Sequence, residues 1–223
     1  GHKGASMKNK ALAIILAASG CWSGMASAAM VARVSLSVGD VTLIRPDGTT
    51  AKLLRGAEVS EQDRIVTGKD GMAMLIFVDQ GRVALRPDSE LLIRKYADDP
   101  TGQATQLQLD LARGTVRQIS GRAAQRQPDR YRLNTPIAAI GVRGTDFLAK
   151  ATAASVQTYV HEGAITLQPM QMGQSMGGQT LGKAGQSHYL QARAEGAVEL
   201  QQVHAEEAAR RFGIKLARPA VVA

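Results

Sequence analysis

The chain has 223 residues, a net charge of +8 and a single cysteine, Cys21. One cysteine excludes a disulfide-stapled scaffold, and the about 195 residues beyond a leader suffice for one domain with a conventional core. Nucleic acid is a poor match for the charge, because the basic excess concentrates between Arg113 and Arg132 without interleaved aromatics.

Residues 1–6 read as a cloning scar or a misplaced start, and residues 7–28 as a signal peptide. Lys8 and Lys10 form a positive n-region, Ala11–Ala18 an apolar h-region, and Ala26-Ser27-Ala28 an A-x-A cleavage site. The expected location is therefore periplasmic or secreted. Two other readings stay open. Ala11–Met30 carries no charge and has the length of a membrane anchor, and Ala18-Ser19-Gly20-Cys21 is a degenerate lipobox. Lys3, Lys8 and Lys10 precede residue 28 and all 19 acids follow it, so cleavage lowers the net charge by three.

Short alternating or β-branched segments then recur, each closed by a turn signal. Val31–Leu36, Asp40–Ile44, Ala51–Leu54 and Arg64–Thr67 come first, with Pro46-Asp47-Gly48 as a turn that proline and glycine preset. Met72–Val78, Arg82–Leu85 and Glu90–Tyr96 follow. Gln106–Leu111 alternates strictly and buries Leu107, Leu109 and Leu111 on one face, before Gly114 interrupts and Thr115–Ile119 resumes. Tyr131–Asn134, Phe147–Ala151, Ser155–His161, Ala164–Leu167 and Ser187–Leu190 complete the set.

Turn signals at this spacing predict an all-β sandwich, barrel or solenoid, and the lack of strand–helix alternation argues against a doubly wound fold. Gln168–Gly185, rich in Met, Gln and Gly, reads as a mobile hairpin loop. Val203–Phe212 is the one predicted helix: Glu206 and Glu207 open it, Arg210 and Arg211 close it, and Gly213 stops it. The domain reading is a β domain over residues 29–192 and a C-terminal appendage with a short helix over 193–223.

Most catalytic patterns in the chain lack their context. Gly173–Gly177 matches G-x-S-x-G, but no strand-to-helix elbow surrounds Ser175. Gly177–Lys183 approaches a phosphate loop, yet Ala184 stands where Ser or Thr would hold magnesium. His161, His188 and His204 are far apart, without the spacing of a zinc site. Nothing singles out a pair of carboxylates for glycan hydrolysis. The expectation is no catalytic residue, no cofactor and no metal.

Two stretches remain. Arg113, Arg117, Arg122, Arg126, Arg130 and Arg132 face only Asp129 and read as a basic loop, either simply solvated or open to anionic lipid, glycan or an acidic protein. Asn134–Phe147 packs Pro136, Gly141, Gly144, Arg143 and Phe147 into fourteen residues. A sharp bend is expected around Val142-Arg143, with Ile137, Ile140, Val142 and Phe147 in the core and Thr145 and Asp146 capping backbone groups. Arg143 then either bridges backbone carbonyls across layers, or it and Asp146 form part of a recognition surface.

Asn134–Phe147 resembles the signature of the FecR family, with Thr135, Pro136, Gly141, Arg143, Gly144, Thr145, Asp146 and Phe147 as the motif residues. Further pieces are similar in order and spacing: Val38–Val41, Asp63–Thr67, Asp79-Gln80-Gly81, Leu85–Ser89, Leu111–Val116 and Glu162–Ile165. The resemblance implies an all-β periplasmic domain of stacked short strands, a twisted β-solenoid- or sandwich-like unit that acts by binding. In that family the domain follows a cytoplasmic anti-sigma segment and a membrane helix. Here a signal peptide stands in their place, which makes direct sigma-factor regulation doubtful. The resulting expectation is a non-enzymatic interaction or sensory module of the cell envelope, with an envelope protein as partner and anionic glycan or lipid as further candidates. The alternatives are a membrane-tethered regulator and an envelope glycan hydrolase.

Overall fold

The computed structural model describes residues 28–97, 106–121, 124 and 130–213. Residues 7–27 of the expected signal peptide, with Cys21 among them, and Arg122 and Arg126 lie outside these residues.

The fold is all-β: the described residues form sixteen strands hydrogen-bonded into one sheet, with a short helix at the C-terminal end. Three strands are far longer than the rest: β9 (Gln106–Ile119), β11 (Ala138–Ala151) and β12 (Ser155–Gln171). Each changes neighbours halfway along. The first half of β9 lies between β8 (Glu90–Ala97) and β10 (Tyr131–Asn134), and its second half between β7 (Arg82–Leu85) and the end of β11. The sheet thereby folds over on itself, and its two inner faces share one core.

One layer carries β2 (Val41–Ile44), β3 (Thr50–Lys52), β5 (Arg64–Thr67), β8, β10, the first halves of β9 and β11, the second half of β12, and β14 (Thr180–Lys183). The other carries β1 (Met30–Val38), β4 (Glu58–Ser60), β6 (Met72–Phe77), β7, the remaining halves, β15 (Ser187–Ala192) and β16 (Val198–Val203). The two-residue β13 (Gln174–Ser175) hangs from the end of β12.

The long strands cross between layers at glycines, for a reason visible in their side chains. Core residues alternate by two along each half: Leu107, Leu109, Leu111; then Ile140, Val142; then Phe147, Ala149. Across each bend the step is five: Leu111 to Val116, Val142 to Phe147, Val160 to Ile165. An odd step in a regular strand would turn one member outward. Gly114 (φ 96°), Gly144 (φ 50°) and Gly163 (φ 78°) take up the extra residue in left-handed conformations that other residues adopt at a cost.

Hydroxyls tie one edge of the fold together. Thr67 Oγ1 donates to the Arg86 carbonyl at 2.7 Å and accepts the Ser89 N–H at 2.9 Å, while Ser89 Oγ accepts the Thr115 N–H at 2.9 Å. Gly114 fits there only as glycine, since a Cβ would come within 2.1 Å of Ser89 Oγ. On the other edge, Asp79 is buried beneath Gly81, whose N–H donates to Oδ1 at 3.0 Å, and Tyr131 Oη donates to Oδ2 at 3.3 Å.

Several elements differ from the sequence expectation. Asn134–Phe147 is not a sharp turn at Val142-Arg143, because both residues stay paired, to Ile165 and Ala164, and the bend falls at Gly144. Part of Gln168–Gly185 is sheet: β12 runs to Gln171, β13 pairs back on it, and β14 pairs with Ala164–Leu167. Its Gly/Gln composition hid the strands because their backbone bonds, not their side chains, hold them.

β16 occupies most of 198–203, so α1 begins only at Ala205 and ends at Phe212. Gly213 closes the helix in the left-handed conformation, as its sequence order predicts. Ala208 and Phe212 cover Leu148 and Tyr159 on the outer face of β11 and β12. Lys150 Nζ donates to the Arg211 carbonyl at 3.2 Å, and Arg86 to that of Phe212 at 3.4 Å, both at the negative end of the helix. Among the described residues, no helix is long and apolar enough to cross a membrane.

Candidate functional site

The family-type motif divides into a structural part and an exposed part. Thr135 closes the β10–β11 turn: its N–H and hydroxyl both donate to the Ala138 carbonyl, and Oγ1 accepts the Ala138 N–H at 3.0 Å. Pro136 sits inside this turn, where its fixed φ is an asset. Thr145 pins the end of β9. Its N–H donates to Ser120 Oγ at 2.7 Å and its carbonyl accepts the Ser120 N–H at 2.9 Å.

Phe147 is fully buried in the core. Asp146, nearly buried, receives two guanidinium bonds from Arg117, at 2.9 and 2.6 Å. That pairing keeps the Arg117 guanidinium more firmly protonated than usual, mainly through the hydrogen bonds. Asp146 thus joins β11 to β9.

Among the described residues, the arginines expected in one basic loop do not share a single loop. Arg113 and Arg117 belong to β9, and Arg132 to β10. Arg113 lies 3.6 Å from Glu90 and donates to the Asp88 carbonyl at 3.1 Å. Arg130 is exposed just before β10. Among the described residues of the predicted set, Arg132 and Arg143 line the same cavity.

That cavity is an open trough of about 400 Å³ on the outer face of the first layer. Ala139 and Gly141, the outward positions of β11, form its floor. Arg132 and Asn134 from β10 stand on one side, Thr166 and Gln168 from β12 on the other, and Arg143 joins the lining where β11 nears its bend. Met170, Ser175 and Gln179 form the far wall. Gly141 has no room for a side chain: a Cβ would lie 2.2 Å from Thr166 Oγ1.

Two contacts hold the walls. Asn134 Nδ2 donates to Asp110 Oδ1 at 3.0 Å, and Arg94 engages the other oxygen of Asp110. Gln168 Nε2 reaches the Gly177 carbonyl at 3.2 Å and so draws the β13 arm against the sheet. The lining residues include two guanidinium groups and three carboxamides, with no carboxylate and no aromatic ring. Such a surface neutralises anions and donates hydrogen bonds, and offers no nucleophile–base pair.

Gly141 is a motif residue, and Asn134 and Ala139 lie within the signature stretch, but nothing in the sequence points to Ala139, Thr166, Gln168, Met170, Ser175 and Gln179 as one site. They come from three strands and a connecting arm, and only sheet register brings them together. Small outward residues two apart, Ala139 and Gly141, were the available signal.

The catalytic look-alikes sit elsewhere or in the wrong setting. Ser175 is exposed in β13 with Met170 Sδ 3.6 Å from its hydroxyl, and Gly177–Lys183 leads into β14 with no helix following. His161 is exposed on β12, His188 is buried on β15, and His204 caps α1 through its backbone. Among the described residues, no three His, Cys, Asp or Glu side chains converge as a metal site would require.

Comparison with known proteins gives a family match and distant structural likenesses. Residues 63–166 match the family model described as FecR protein. They span both layers, from Asp63 just before β5 to the trough wall at Thr166. No curated protein matches the chain. Two crystal structures of a candidate anti-sigma factor from Parabacteroides distasonis ATCC 8503 superpose with TM-scores of 0.48 and 0.49, at 12% and 13% identity. The superpositions cover 67% and 64% of this chain, and 64% and 61% of those chains, less than two thirds of their length.

Proposed function

We propose that the chain, whose residues 63–166 match the FecR family model, is a non-enzymatic interaction or sensory module of the cell envelope, periplasmic after removal of residues 7–28. The family match carries this reading. It is supported by a scaffold whose glycine-bent strands and buried Phe147 hold a double layer that exposes both charged residues, Arg132 and Arg143, and apolar ones, Leu36, Met72 and Leu181, on its outer faces. Its partner is a protein of the same compartment.

Photo-crosslinking in cells tests the reading. A crosslinkable residue is placed at exposed positions on both layers, Arg132 and Leu181 on one, Leu36 and Met72 on the other. Specific capture of an envelope protein is expected from at least one position. Failure at all four, with the protein exported and folded, overturns the reading.

The uncharged run Ala11–Met30 favours a second reading, a membrane-tethered regulator that keeps its N-terminal segment. Sequencing the N-terminus of protein recovered from cells decides between them. A start at Ala29 supports the released module, and retention of Ala11 supports the anchor.

A further inference from the structure

Of the strands that pair on one side only among the described residues, β3, β4, β13, β14 and β16, the last is the longest. It reads Val-Glu-Leu-Gln-Gln-Val and pairs with β15 without a bulge. The bonds around β15 show which of its peptide groups lie at the open edge. The Ala192 N–H donates to the Ala154 carbonyl at 2.8 Å, and the Val160 N–H to the Gln186 carbonyl at 3.0 Å, so the even-numbered residues of β15 face β12. The Arg193 N–H donates to the Ala197 carbonyl at 2.8 Å, so the odd-numbered residues face β16. In an antiparallel ladder the N–H and C=O of one residue point the same way and alternate sides along the strand. Glu199, Gln201 and Val203, opposite Gln191, Tyr189 and Ser187, therefore bond to β15. Val198, Leu200 and Gln202 turn their peptide groups to the open edge.

Natural sheet edges are blunted by shortness, lysine, proline, bulges or a charge turned toward the core. Strands β3 and β4 are short, and in β14 Gln186 holds both the N–H and the carbonyl of Lys183, at 2.9 and 3.0 Å. β16 has none of these devices. Its one charge, Glu199, is met by Arg193 of the same hairpin at 2.7 Å. Val198 and Leu200 are half-buried where the shared core reaches this edge. A strand laid along β16 would cover the apolar side chains and pair the backbone together.

The sequence of β16 matches itself in one register. Two antiparallel copies related by a two-fold axis at Leu200 set Leu200 opposite its counterpart, and Val198 opposite Gln202 of the second copy. Every outward-facing residue then meets another, which gives about six hydrogen bonds, two for each bonded pair. Glu199 faces Gln201 of the second copy, a carboxylate against a carboxamide donor. Centring the axis on Glu199 would oppose two carboxylates, and centring it on Gln201 would carry Val198 past the strand onto His204. Both alternatives form fewer bonds within β16.

We propose that the chain associates with a second copy of itself through β16, in an antiparallel pairing centred on Leu200. The pairing is isologous, joins the two sheets across the axis and closes the open end of each core. It goes beyond the interaction-module reading and does not depend on the identity of any envelope partner.

Sedimentation of the protein recovered from cells, in a concentration series up to about 1 mM, tests it. A concentration-dependent dimer is expected. Gln202→Pro removes an outward N–H at an exposed position and leaves the bonds to β15 in place, and it should weaken the dimer by about tenfold or more. Leu200→Lys and Leu200→Glu each oppose like charges on the axis and should give monomers, whereas a mixture of the two should dimerise. In a Cys21→Ser background, Leu200→Cys should form an intermolecular disulfide, because directly opposed residues lie about 5.5 Å apart. Gln201→Cys should not, since its counterpart is a diagonal neighbour about 7–8 Å away. Thermal melts confirm that each variant is folded, and dimerisation of the mixture shows it directly for the charge variants.

A monomer throughout the series overturns the proposal, including the case in which a strand of another protein takes this edge. So does a dimer that survives both Gln202→Pro and Leu200→Lys, which would place the contact elsewhere on the surface. Trapping at Gln201→Cys in place of Leu200→Cys overturns it as well.

Discussion

Gly144 and Gly163 meet face to face where β11 and β12 bend between the layers. A Cβ on Gly163 would lie 2.1 Å from the Gly144 carbonyl oxygen, whereas a Cβ on Gly144 would meet nothing within 4 Å. Both residues have positive φ, so both substitutions strain the backbone.

Only Gly163 also pushes one strand off the other. Gly144→Ala should therefore cost about 1 kcal/mol, the left-handed penalty alone. Gly163→Ala should cost about 3 kcal/mol, because the clash is with rigid backbone. Urea unfolding of the two variants checks the difference, and equal losses would contradict the close approach at Gly163.

The interior contains one histidine whose charge state couples to folding. His188 is buried on β15 opposite Thr158, and neither its Nδ1 nor Thr158 Oγ1 has a hydrogen-bond partner among the described residues. Gly182 of the other layer covers it, close enough that a Cβ there would sit 3.6 Å from Nδ1. Burial pushes its pKa below the ordinary value. The folded state thus prefers the neutral ring. Stability is complete above the unfolded pKa of about 6.5 and declines as pH falls through that value toward the lower folded one. The melting temperature should drop between pH 7 and pH 5, and His188→Leu should flatten that part of the profile. A slope unchanged in the variant would assign the effect to other groups.

Asp146 illustrates what the sequence conceals. Its type and position inside the signature fit either a cap or a recognition surface, and the deciding residue, Arg117, lies 29 positions earlier in the chain. Alternation of Leu107, Leu109 and Leu111 was enough to place half of β9. Its continuation past Gly114 was not legible, because a glycine that breaks a strand and one that bends it look alike. The trough was harder still: Arg132 and Arg143 were visible as charges, but the pairing of Arg132 with Gly141 is a register fact. α1 was readable from its charge order, since helix signals are local.

A double-mutant cycle measures the Arg117–Asp146 pair. Asp146 is nearly buried, but the Arg117 side chain is half exposed, and water screens the interaction. Their coupling should be about 1 kcal/mol, toward the upper end for exposed pairs because two bonds form in parallel. Arg117→Ala should cost more than the coupling alone, since it leaves a carboxylate with little access to water. Chemical denaturation of the two single variants and the double variant gives the value. A coupling near zero would mean that Asp146 is held by its backbone alone.

The last prediction concerns α1, which rests on the second layer through few contacts. Ala208 and Phe212 cover Leu148 and Tyr159, and the Arg211 guanidinium stacks on the Tyr189 ring at 4.5 Å. Phe212 is the one large apolar side chain that the helix inserts, so Phe212→Ala removes most of its anchoring area. An eight-residue helix has little stability apart from such packing. The variant should lose hydrogen-exchange protection across Ala205–Phe212 while Ile140, Phe147 and Val160 in the shared core keep theirs. Tyr159 should become more accessible at the same time, which an apolar dye would register by its fluorescence. Loss of protection throughout both layers would instead make the helix part of the core's cooperative unit.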